Sequence, residues 1–174
     1  MKRMYLKGQS PSKKLKPIRP NSKRHKILIV VQGEFGMVAR HKEDKDKMPN
    51  HVWVFLTELI DDLGWNRMPR SWNKNALERN GILFVNTNDY KDNKHKLFSA
   101  LSSHSFHSEG AVYILLGRYP CTYAPVLARK RHLVIKTASL LASHRNMGAP
   151  FFGSRPFTKA CNFLGLSKDI WRFD

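Results

Sequence analysis

A three-layer α/β/α sandwich around a central sheet of four parallel strands is the fold class this 174-residue sequence predicts. Three observations carry that prediction. Four short runs dominated by apolar and β-branched residues, Ile27–Val31, Ile82–Val85, Ala111–Leu116 and His132–Lys136, read as strands covered on both faces. Segments with helical spacing lie between them, and strands joined through helices become parallel neighbours. Hydrophobic residues make up 41% of the chain, enough to bury a core, which excludes wholesale disorder.

Taken in order, residues 1–25 read as a basic tail. They hold Lys2, Arg3, Lys7, Lys13, Lys14, Lys16, Arg19, Lys23 and Arg24 and no acid, and Pro11, Pro17 and Pro20 discourage helix. The folded domain is expected over residues 26–174. After the first strand, residues 36–48 are polar and read as a loop. Pro49 opens a helix whose Val52, Phe55, Leu56, Leu59 and Leu63 share a face and which Gly64 stops. Residues 65–75 read as a turn-rich connection and Ala76 to Asn80 as a helical turn. The second strand ends in Asn86-Thr87-Asn88-Asp89. Lys96 to Ser103 is a helix with Leu97 and Leu101 four apart. Gly117 ends the third strand, residues 122–130 form the next helix, 137–150 a long loop, and 155–164 the last helix. In such a sheet a ligand crevice lies outside the carboxyl ends of the strands. Those ends are Gln32-Gly33-Glu34-Phe35-Gly36, Asn86 to Asp89, Gly117-Arg118-Tyr119 and Thr137 to Leu141.

Lys and Arg number 31 against 13 Asp and Glu, a net charge of +18 spread along the chain. That favours a polyanion, and nucleic acid above an acidic protein or an anionic membrane surface. No stretch approaches the ~20 apolar residues of a transmembrane helix. The basic start lacks the apolar segment of a secretory signal. Two cysteines, Cys121 and Cys161, exclude a disulfide scaffold and a four-cysteine zinc site and fit a reducing, cytoplasmic setting. There is no phosphate-binding GxxxxGK[ST], no zinc-ligand spacing and no internal repeat, so no metal or cofactor is expected. A DNA-associated monomer without membrane contact is the expectation.

Three further pieces of sequence resemble the uracil-DNA glycosylase superfamily in order and spacing. Gly81-Ile82-Leu83-Phe84-Val85-Asn86-Thr87 is similar to the family's GVLLLNT strand with its base-reading Asn. Val112 to Gly117, followed by Arg129-Lys130-Arg131-His132-Leu133-Val134, is similar to VFLLWG and KRHHVL. Phe151 to Lys159, then Asn162 and Asp169-Ile170-Trp171, is similar to FFGCRHFSKTN and the IDW ending. The resemblance spans roughly residues 26–174 and implies that family's fold.

Departures fall on the motifs that carry chemistry. Where the family has GQDPYH with its catalytic Asp, this chain has Val31-Gln32-Gly33-Glu34-Phe35-Gly36: Gln32 fits, Gly33 replaces the Asp and Phe35 the pocket-walling Tyr. A second branch of the superfamily uses a GEAPG-type loop, and Gly33-Glu34-Phe35-Gly36 is similar to it with one residue missing. The HPSPLS motif corresponds to Thr137 to Ser143, without a His; the nearest is His144. The family's stacking-Phe segment is missing between Gly36 and Pro49.

Breaking an N-glycosidic bond builds positive charge on the sugar and negative charge on the departing base. The resemblance therefore implies catalytic roles for Glu34 (carboxylate beside the sugar, or else a solvated loop acid), Asn86 (amide reading a flipped base, or else a turn cap) and His144 (donor to the leaving base). It implies a pocket from Gln32, Gly33, Phe35, Gly36 and Ser139, with Phe35 stacking on the base or filling core. Leu140 or Leu141 is the wedge entering the vacated stack, or else an anchor of its loop. Ser143, Arg145, Arg118, Lys13 and Lys14 are phosphate contacts, while His104 and His107 are placed on the surface. The reading this supports is a DNA glycosylase with non-standard base specificity, such as a modified pyrimidine in phage DNA, in anti-phage defence. The alternatives are a catalytically inactive DNA-binding scaffold serving replication or the genome, and ordinary uracil excision.

Overall fold

The computed structural model describes residues 20–33, 38–40, 50–69, 71–140 and 150–172. Four parallel strands form the central sheet: β1 (Ile27–Val31), β4 (Ile82–Asn86), β5 (Ala111–Leu116) and β6 (His132–Thr137), in the order β4-β1-β5-β6. Val31 lies opposite Asn86 and Leu116, and Leu116 opposite Thr137, so all four carboxyl ends reach one edge.

The alternation of side chains explains why these runs are apolar throughout. Ile27, Ile29 and Val31 of β1 enter one core and Leu28 and Val30 the other; β4 and β5 divide in the same way. The first core is covered by α1 (Asn50–Leu63), α2 (Lys74–Arg79) and α6 (Pro156–Leu164), the second by α3 (Lys94–His107) and α5 (Ala124–Leu127). That is the expected three-layer sandwich. Phe55 of α1 centres the first core, with its ring 5.4 Å from Trp72, 5.5 Å from Phe84 and 5.0 Å from Phe157.

Several expectations need correction. The segment read as a loop over 36–48 contains β2 (Val38–Arg40), and the turn-rich 65–75 contains β3 (Ser71–Asn73); the two pair antiparallel. Strands of three residues carry no legible alternation, and here the ladder and the buried Trp72 hold β3. Within the helix expected over 122–130 only the four-residue α5 forms, with Pro125 in its first turn, and a separate short helix, α4 (Arg118–Cys121), precedes that span. The α3 helix is longer than read, since Asn93 caps it by accepting from the Lys96 N–H at 3.0 Å. Asn21 to His25, placed in the tail by sequence, form a turn packed on the domain, with His25 buried.

His104 is buried rather than on the surface; His107 is exposed as expected. The His104 Nε2–H donates to the His25 carbonyl (2.9 Å), so its Nδ1 accepts from the Tyr113 hydroxyl (2.8 Å). His132 repeats the arrangement, accepting from the Ala111 N–H at 3.1 Å and donating to the Ser105 carbonyl at 2.9 Å. Each ring is held in a neutral tautomer. Burial pushes the His104 pKa down from 6.5 to about 4 and lowers those of His132 and His25. Unfolded histidines bind protons that these folded ones refuse, so stability is complete above 6.5 and lost as pH falls from there toward 4. Thermal unfolding across that interval is expected to show Tm falling with pH, with roughly 3 kcal/mol traceable to His104. His104→Gln, which can still donate and accept, is expected to flatten the fall.

Candidate active site

The carboxyl edge of the sheet is built by three local devices. Asn86, the last residue of β4, caps the 3-10 turn Thr87–Tyr90: its Oδ1 accepts from the Asn88 N–H at 3.0 Å. The same oxygen accepts from the Gly33 N–H at 3.1 Å, tying the end of β4 to the turn after β1 across 53 residues of sequence. Its Nδ2 donates to the Asp89 carboxylate at 3.2 Å. The amide orientation follows from these partners, since both backbone groups are donors and the carboxylate an acceptor. The second Nδ2 hydrogen has no partner among the described residues and is available to a ligand carbonyl.

Gly33 has φ +121°, a backbone that glycine adopts without strain, which suits the turn bringing Gln32 and Gly33 over the β4 end. Gly117 at the end of β5 has φ +100°, and a Cβ there would lie 3.0 Å from the Ser139 Cβ. A glycine at this place lets the chain leaving β6 close against β5. Ser139 is half-buried beside it, Gln32 is exposed, and Arg118 is exposed at the start of α4.

Asn86, Gly33, Gln32, Arg118 and Ser139 are therefore gathered along one edge. Leu140 is different: it is buried in the first core and acts as the anchor of its loop, not as a free wedge. That correction leaves Leu141 as the wedge candidate. Glu34, Phe35, Gly36, Leu141, Ser143, His144, Arg145, Lys13 and Lys14 lie outside the described residues.

Two features of this edge carry roles that the sequence reading did not assign, although it placed Asp89 at the strand end. Asp89 is a second carboxylate, directly bonded to Asn86, and Asn-x-x-Asp after a strand is the signal that marks such a capped turn. The Lys94 ammonium sits 6.0 Å from the centre of the Tyr119 ring, joining the start of α3 to α4 and adding a cation to this edge. A groove of about 550 Å³ lined by Trp65, Arg67, Met68, Pro69 and Arg172 lies elsewhere, beside the Asn80 that leads into the amino end of β4. No group of ligands able to hold a metal ion occurs among the described residues, and no helix there is long and apolar enough to cross a membrane.

No family model matches the chain. It is 31% identical over 135 residues to a uracil-DNA glycosylase of Sulfurimonas denitrificans, covering 70% of this chain and 58% of that protein. It is 29% identical over 140 residues to a uracil-DNA glycosylase of Brevibacillus brevis, covering 72% of this chain and 60% of that protein. The chain thus spans about three fifths of the length of the curated relatives it matches. Among solved structures, mimivirus uracil-DNA glycosylase superposes with a TM-score of 0.67 at 12% identity, over 83% of this chain and 65% of that one. A variant of the mimivirus protein in complex with UGI superposes at 0.65 and 10% identity, over 86% and 70%. Strand order, the Asn-ended β4 and these likenesses agree: the chain belongs to the uracil-DNA glycosylase superfamily.

Proposed function

We propose that this protein is a DNA glycosylase that everts a base and hydrolyses its N-glycosidic bond, with a non-standard specificity that prefers another base to uracil. The observation that carries the reading is Asn86, held at the mouth of the carboxyl edge by Gly33 and Asp89 with one amide hydrogen unspent, in a chain related to uracil-DNA glycosylases. Water adds to C1′ of the sugar as the base departs with the bonding electrons. Glu34 stabilises the cationic sugar or orients that water, and His144 donates to the leaving base. Arg118, Lys94, Ser143 and Arg145 hold flanking phosphates, and Leu141 fills the gap in the stack.

The altered specificity rests on the amide geometry and on the missing motifs. The Asn86 oxygen is occupied by two backbone N–H groups, which leaves only a donor for the base. A pocket that offers one donor, no Tyr wall and no stacking-Phe segment accepts bulkier pyrimidines. Phage-modified pyrimidines are the substrate class proposed, with anti-phage defence as the role. The occupied oxygen is also what favours the second reading, a DNA-binding scaffold without catalysis.

Duplexes carrying uracil or a bulky 5-substituted pyrimidine distinguish these. Alkali-labile sites are expected on both, faster on the modified duplex. Faster cleavage at uracil would return the protein to ordinary uracil excision, and binding without cleavage would favour the scaffold. The basic stretch before Pro20 neutralises phosphates: removing residues 1–19 is expected to weaken DNA binding and lower its salt slope by about 0.9 for each phosphate no longer neutralised. An unchanged slope would refute the arm.

A further inference from the structure

The opposite edge of the sheet carries a second cluster of cations. Arg24 and Lys26 lead into β1, where the Arg24 carbonyl lies close to Gly81 and the Lys26 carbonyl accepts from the Val112 N–H at 2.9 Å. Arg129 donates to the Ser105 hydroxyl at 3.1 Å, and Arg131 donates to the Ser105 carbonyl at 3.2 Å. The His25 carbonyl meets His104 of the same helix end. These bonds gather Arg24, Lys26, Arg129 and Arg131 around the C-terminus of α3, with Lys23 and Lys130 beside them in the chain. Of the acids, Glu78 lies 4.0 Å from His25, and the exposed Glu109 follows α3 in the chain. Arg129 and Arg131 are accounted for by the carbonyls and hydroxyl they bind. Lys23, Arg24, Lys26 and Lys130 form no ion pair among the described residues, and all but half-buried Lys26 are exposed. Beside them Phe106 is 61% exposed, with the Arg129 guanidinium 5.5 Å from its ring centre.

We propose that this amino-terminal edge is a second nucleic-acid-binding face, which takes the phosphodiester backbone of a DNA segment other than the one at the carboxyl edge. Strands of five or six residues separate the two edges by at least about 17 Å. A straight duplex lying across the carboxyl edge does not reach the far one, so the cations there meet a separate segment. Like-charged side chains crowded on one edge repel, and a polyanion relieves that repulsion while releasing counterions. The choice of DNA over an acidic protein or a lipid surface rests on the proposed function: a protein bound to DNA has further duplex at high local concentration.

The test is capture of a second duplex. Full-length protein is bound to an immobilised duplex and offered a fluorescent one. Wild type is expected to retain the second duplex, and the triple variant Lys23→Gln/Arg24→Gln/Lys130→Gln to retain about ten-fold less. Its salt slope for the second duplex falls by about 0.9 per cation that contacted phosphate. Base release from a short duplex stays within about two-fold, as expected for cations remote from the other edge. The conservative triple Lys23→Arg/Arg24→Lys/Lys130→Arg restores capture, which separates charge from folding. Wild type that captures no second duplex, a triple variant that captures as well as wild type, or tighter binding through these residues to phosphatidylserine vesicles would each overturn the proposal. Capture without any base release would leave this face standing and sink the glycosylase reading instead.

Discussion

Asn86→Asp is expected to lower base release about 100-fold while leaving the fold intact. The new carboxylate still accepts from the Gly33 and Asn88 N–H groups, so the turn after β1 keeps its anchor. It loses both amide hydrogens, including the one assigned to the base in the proposed function, and places a second negative charge against Asp89. Asn86→Ala is expected to lose as much activity and also to release the Gln32-Gly33 turn, so it costs stability where Asn86→Asp costs little. Glu34→Gln is expected to cause a loss of about two orders of magnitude, because the developing sugar cation loses its counter-charge. Single-turnover base release beside thermal unfolding checks all three. Asn86→Asp with wild-type turnover would reduce Asn86 to a turn cap.

The largest stability effect is expected at Asp62. Its side chain is fully buried on α1 and accepts from the Phe157 N–H at 2.8 Å and the Thr158 N–H at 2.9 Å, capping α6 in place of a local N-cap. Arg155 precedes α6 with φ +50° and no capping side-chain bond, and its guanidinium reaches Asp62 at 3.4 Å. One turn earlier Glu58 accepts from the Gly153 N–H (2.8 Å) and the Arg155 N–H (3.1 Å). Two acids on the buried face of α1 thus hold the chain as it returns from the loop after β6. Asp62→Ala orphans a buried and a half-buried donor at a helix start and is expected to cost about 3 kcal/mol. At roughly 3 °C per kcal/mol for a domain of this size, Tm falls by about 9 °C. Glu58→Gln is expected to cost less, about 1 kcal/mol, because the amide keeps an acceptor for one N–H and removes a buried charge. Burial already raises the Glu58 pKa against the lowering pull of those backbone N–H groups.

These two sites show where the sequence was legible. The four strands could be read because a sheet covered on both faces demands apolar residues at every position, as in Ile27–Val31. The shared carboxyl edge followed from the strands being parallel, whereas the bond between Gly33 and Asn86 depends on β1 and β4 being neighbours, which the sequence did not reveal. Glu58 and Asp62 could not be read as buried. They sit at helical spacing on the face of Phe55 and Leu59, and only the backbone of residues 153–158, far along the chain, satisfies them. Burial of His104 was hidden for the same reason, since its partners are the His25 carbonyl and the Tyr113 hydroxyl. For Leu140 the sequence left wedge and loop anchor both open, and only its burial in the first core decides for the anchor.

Direct detection of the excised base tests the central claim. A duplex with one 5-substituted pyrimidine is incubated with the wild-type protein, and free base and abasic strand are quantified by mass spectrometry. One free base for each abasic site, absent with Glu34→Gln, is the predicted result. DNA that stays bound and intact, with no free base from any pyrimidine in the panel, would contradict the account.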